Sequence, residues 1–164
     1  MNRSTTVSLT APRIVASEPK LIFGLSQPCP AAGDPAIPSL WKRFAPYIGA
    51  ISGRVGNNAY GVIHNTSETG RFDYTAGVEV RTFPAQPGDF AQLRIPAQTY
   101  AVFEHQEHVS TVGAAWRAIW EHALSDAGFE AADGPAFELY GARFDPATGN
   151  GGLELWVPII APPK

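Results

Sequence analysis

Only one cysteine, Cys29, occurs in the 164 residues, so no internal disulfide can form, which fits a reducing compartment. No apolar run approaches the roughly 20 residues that a membrane-crossing helix needs. The opening Met1–Thr6 leads into no apolar core of a cleaved signal peptide. A basic excess is missing too. The 12 Lys and Arg against 15 Asp and Glu leave a formal net charge of −3, whereas a general nucleic-acid binder carries a basic patch to neutralise phosphate. No nucleophile elbow, phosphate-binding loop or dinucleotide-binding glycine fingerprint is present. His105 and His108, with Glu104 and Glu107, match no zinc-ligand spacing, so no metal is expected. Cys29 lies between prolines with no activating neighbour in sequence, and His64 and His122 read as structural or surface residues. These absences point to a soluble, cytoplasmic domain with no cofactor, no membrane segment and no direct contact with nucleic acid. A chain of this length buries about 70% of its unfolded surface and needs neither metal nor disulfide to fold.

What is present is a chain punctuated by 16 Gly and 15 Pro, with 45% hydrophobic residues. Residues 1–12 read as a flexible tail, and 13–162 as one domain. Arg13 to Leu25 is extended in character, and a loop follows through Pro28, Pro30, Gly33, Asp34 and Pro35. Ile37, Leu40, Trp41, Phe44 and Ile48 share one face of a helix that Pro38 can start and Pro46 should kink or end. Asn58–Asn65 and Arg71–Arg81 read as a hairpin. The order then recurs. Leu93–His105 is strand-like, and Ser110 can cap a helix that stops at Gly128, with Val112, Ala115, Trp116, Ile119 and Ala123 on its apolar face. Ala136–Phe144 and Gly152–Ile160 follow as strands. Two β-α-β-β units, at about 13–82 and 92–160, therefore predict an α+β fold: one antiparallel sheet with two helices on one face. Tyr60-Gly61 with Tyr140-Gly141, Trp41 with Trp120, and Glu79 with Glu154 support the duplication at spacings of 80, 79 and 75.

Strand alternation then nominates a site. Phe137 and Leu139 face one way, and Glu138, Tyr140 and Phe144 the other; Leu153, Leu155 and Val157 face one way, and Glu154 and Trp156 the other. If the aliphatic faces lie under the helices, the opposite face shows carboxylates among large aromatics. Rings supply area and negative π faces, and a carboxylate supplies opposing charge, so this composition suits an apolar cation. The alternative is that Glu138 and Glu154 are simply solvated. Glu79 is a third candidate, on a face with Gly77, where the missing side chain allows close approach.

Ile37–Trp41, Tyr60–Val62, Phe72–Val80, Ile95–Phe103, Pro135–Tyr140 and Glu154–Ile159, in that order, resemble the GyrI-like small-molecule-binding domain. This domain (an SHS2-type duplication) is the effector-binding part of many AraC- and MerR-type multidrug regulators and also occurs alone. The resemblance implies a ligand cleft between two pseudo-repeats, a buried glutamate at Glu138 facing a lipophilic cation, a second acidic position at Glu154, and aromatic walls. Glu138, Tyr140, Phe144, Glu154, Trp156, Glu79 and Tyr60 are the expected ligand-binding residues. Where members of the family often turn at a His-x-Gly sequence, this chain has His105-Gln106-Glu107-His108. The dozen residues before the domain are too few for a helix-turn-helix, so the expectation is a stand-alone binder of small lipophilic, cationic molecules. One alternative is a hydrolase opening cyclopropane rings of alkylating natural products through Glu138, Tyr140 and Glu79. The other is a gyrase-inhibitor-like protein acting on an unknown protein partner.

Overall fold

The computed structural model describes residues 9, 11–30, 36–85 and 90–160. The expected tail at 1–12 lies outside these apart from Leu9, Ala11 and Pro12, as does the loop at Gly33, Asp34 and Pro35. Each long extended run is two strands rather than one. β1 (Arg13–Ser17) and β2 (Lys20–Cys29) separate at Glu18-Pro19, and β5 (Ala91–Ile95) and β6 (Gln98–His105) at Pro96-Ala97. A proline has no N–H to give to a ladder, so both breaks fall where the sequence forces them. β2 nevertheless runs through Pro28, which pairs with Asp73. Beyond Gly24 its other flank is no longer paired with β5, so the missing donor is tolerated there.

The remaining strands are β3 (Ala59–His64), β4 (Phe72–Val80), β7 (Ala136–Tyr140) and β8 (Leu153–Pro158). All eight form one antiparallel sheet in the order β1-β6-β8-β7-β3-β4-β2-β5. Exchanging β1 with β5, β2 with β6, β3 with β7 and β4 with β8 reverses that order and leaves it unchanged. The duplication is thus a ββαββ unit used twice, with β3 and β7 meeting at the centre and each unit's first strand pairing with the other unit's long strand.

Helix α1 (Ala36–Phe44) passes into a 3-10 turn, Ala45–Ala50, that has Pro46 near its start. It buries Leu40 and Phe44 against Phe23, Tyr74, Ala76 and Val78. Helix α2 (Val112–Ala118) continues through a π turn, Ile119–Ala123, and a last α turn, Leu124–Asp126. Trp116 and Ile119 pack on Phe103, Leu155 and Val157. Gly128 ends the helix with φ +88°. The expected Ser110 cap is replaced by His108. Its Nδ1 accepts from the Ser110 N–H at 3.1 Å, while its Nε2 donates to the Thr148 carbonyl at 2.7 Å. The opposite face of the sheet is apolar as well, with Ile22, Tyr60, Val62, Ile95, Tyr100, Val102 and Phe137 buried and no described helix among them.

Candidate functional site

Glu138 sits on a central strand directly opposite Gly61 of β3 and Leu155 of β8. Its side chain is therefore on the helix face with Leu155, which corrects the expected placement away from the helices. Alternation within β7 holds, but its aliphatic half, Phe137 and Leu139, faces the second apolar core, so an aliphatic face does not identify the side under the helices.

Glu138 is only 3% exposed and accepts three hydrogen bonds. Tyr74 and Tyr140 hydroxyls donate to Oε1 at 2.6 and 2.8 Å, and Trp116 Nε1 donates to Oε2 at 2.9 Å. Trp41 Nε1 donates in turn to the Tyr74 hydroxyl at 2.9 Å. Each helix thus gives one indole N–H, α2 directly and α1 through a tyrosine. Trp41 also packs edge-on against Tyr140 at 5.2 Å, and Phe144, in the turn after β7, against Tyr140 at 4.7 Å. Burial pushes the Glu138 carboxyl above its ordinary 4.5, against the pull of its three donors, and drives Tyr74 and Tyr140 well above 10. The result is one buried acid in an aromatic setting.

Gly61 makes room for this cluster. A Cβ there would overlap the Tyr74 hydroxyl and approach Glu138 Oε1 to 2.7 Å. Tyr74, Trp116, Trp41 and Gly61 were not foreseen as site residues. The signal available was a glycine inside an apolar strand. Gly77 carries the same signal, but what approaches it is β2, through Ile22 and the Phe23 carbonyl.

The sheet separates the other expected residues from Glu138. Tyr60 and Glu79 lie on the opposite face, where the Tyr60 hydroxyl donates to Glu79 at 3.3 Å and Lys20 stands 4.0 Å away. Glu154 and Trp156 share that face. Trp156 Nε1 donates to Glu154 at 3.0 Å, Arg13 bonds it at 3.0 Å, and Trp156 stacks on Phe137 at 5.1 Å. Glu79 therefore does not join Glu138 and Tyr140, and the trio drawn for ring-opening hydrolysis is not assembled. The Tyr60-Gly61 and Tyr140-Gly141 match is also no true repeat identity, because the two tyrosines face opposite sides. The pairing of Glu79 with Glu154 does preserve the face. An open groove of about 560 Å³ lies elsewhere, along Ser17, Glu18, Gln98 and Ile160, and none of Glu138's partners lines it. Among the described residues no three His, Cys, Asp or Glu side chains converge as a metal site would require, and no helix is long and apolar enough to cross a membrane.

Comparison with known proteins agrees with this architecture. The protein named SAV2435, solved bound to tetraphenylphosphonium, superposes with a TM-score of 0.72 at 16% identity, over 92% of this chain and 94% of that one. An integron cassette protein from the mobile metagenome of Vibrio cholerae superposes with a TM-score of 0.66 at 16% identity, over 94% and 99%. The transcriptional regulator BrlR of Pseudomonas aeruginosa is 34% identical over 149 residues, which are 90% of this chain and 54% of BrlR, so the chain spans about half of that relative. The family description "GyrI-like small molecule binding domain" matches residues 10–160, and with that match over nearly its whole length the chain belongs to the GyrI-like family of small-molecule-binding domains.

Proposed function

We propose that the domain binds lipophilic organic cations in the space between α1 and α2, with Glu138 as the group that selects for positive charge. The observation that carries this reading is a buried carboxylate whose neighbours are indoles and phenols and which, among the described residues, pairs with no cationic side chain. An ionised carboxylate in such a place is costly unless a positive charge joins it, and aromatic faces favour a cation in the same volume. Tyr140, Tyr74, Trp41, Trp116 and Phe144 form the walls. Tetraphenylphosphonium on a structural relative of the same fold is consistent with this ligand class. Glu79, Tyr60, Glu154 and Trp156, once candidates for the same pocket, have no part in this reading. The domain acts by holding the ligand, as an effector or drug sensor or by sequestration, in the cytoplasm and without itself touching nucleic acid. The net charge of −3 supports that last point.

The test is calorimetry with tetraphenylphosphonium and with neutral triphenylphosphine oxide on the parent and on Glu138→Gln. The variant keeps the shape and loses the charge. The cation should lose roughly 1–3 kcal/mol and the neutral compound much less. Equal binding of both compounds to parent and variant would remove Glu138 as the selecting charge.

A further inference from the structure

We infer that Trp120 is a specificity-determining residue of this site, an outer stacking face that favours flat aromatic cations; the inference rests on the Glu138 reading above. The large hydrophobic side chains exposed among the described residues are Ile14, Tyr47, Trp120 and Ile160. Tyr47 is braced edge-on by Phe90, which is not one of Glu138's donors, and the isoleucines have no π face. Trp120 is 51% exposed and lies nearly parallel to Trp116, with ring centroids 6.2 Å apart and planes 15° apart. Trp116 is itself only 3% exposed and is the donor to Glu138 Oε2. A continuous series of carboxylate, inner indole and outer indole thus runs from the buried charge to solvent.

Two further features favour this route. Oε1 of Glu138 accepts from two tyrosines and Oε2 from Trp116 alone. A carboxylate oxygen accepts about two hydrogen bonds, so the unused capacity lies on the Trp116 side. Trp120 also belongs to the π turn, in which the Leu124 N–H bonds the Ile119 carbonyl five residues back. Such turns widen a helix by one residue and recur at functional sites. A half-exposed indole keeps apolar area in water, and a flat ring laid on it covers that area and gains stacking and cation–π attraction. A tetrahedral phosphonium can lay only one of its four rings on Trp120, whereas a fused flat cation lays its whole ring system there.

The experiment is isothermal titration with proflavine, a flat cation, and with tetraphenylphosphonium, on the parent, Trp120→Ala, Trp120→Phe and Glu138→Gln. Trp120→Ala should weaken proflavine about 5- to 10-fold and tetraphenylphosphonium less than about twofold, and Trp120→Phe should recover most of the loss. An equal loss for both cations, or no loss for either, overturns the assignment. A parent that binds neither cation, or a Glu138→Gln variant that binds both as well as the parent, overturns the Glu138 reading and this inference with it. Proflavine binding that depends on Glu138 but ignores Trp120→Ala overturns the Trp120 assignment alone.

Discussion

Glu138 keeps its proton more tightly in the folded chain than in the unfolded one, because burial raises its pKa above 4.5. The sign of the consequence follows from linkage. The stabilisation is complete below the unfolded value and is lost as pH rises through the raised folded value. Glu138→Gln cannot titrate, so the melting temperature of the parent minus that of the variant should fall as pH rises from below the ordinary carboxyl value through the raised one. A flat difference would mean that burial does not raise this pKa. On the reading proposed above, tetraphenylphosphonium pairs with the ionised form, so its affinity for the parent should rise over the same pH range. Gly61→Ala tests the space around the acid. The new methyl would displace the Tyr74 hydroxyl, which is fully buried, and overpacking of this kind costs about 1–3 kcal/mol. A variant that melts with the parent would show that the Tyr74 ring can give way freely.

The two helices and the strands that follow them were readable from period and punctuation, whereas the breaks at Glu18-Pro19 and Pro96-Ala97 that make two strands of each long run were not. The apolar face of Ile37, Leu40, Trp41 and Phe44 is the face α1 buries, and Gly128 stops the second helix as its position predicts. Which face of β7 meets the helices was not readable. That depends on the register that sets Glu138 beside Leu155 and Phe137 beside Trp156, and on a second apolar core that makes both faces of the strand look internal. Trp156 is on the far face, so ligand quenching should come from Trp116 and Trp41. Trp116 carries both packing and a donor, and Trp116→Ala should cost on the order of 3–5 kcal/mol in a denaturant melt. A shift of less than about 1 kcal/mol would mean that α2 is not anchored by this side chain. At the start of the same helix, His108→Ala removes a cap and a tie to Thr148, a loss of about 1 kcal/mol by the same measurement.

For the whole molecule, the two units were visible as a recurring order of elements, but their exchanged edges were not. β1 pairs with β6 and β5 with β2, so neither unit owns a complete half of the sheet. Unfolding followed by far-ultraviolet circular dichroism and by tryptophan fluorescence should therefore give one coincident transition. Two separated transitions would show that the units stand alone. The meeting of β3 and β7 at the centre has a further result. Where the two units face each other, one contributes Glu138 and the other Gly61, whose missing side chain leaves the space that the Tyr74 hydroxyl fills beside that acid. A duplicated chain with two equal halves would offer two equivalent sites. Here the two halves complete one buried acid between them, so on the proposed reading a titration with tetraphenylphosphonium should saturate at one cation per chain.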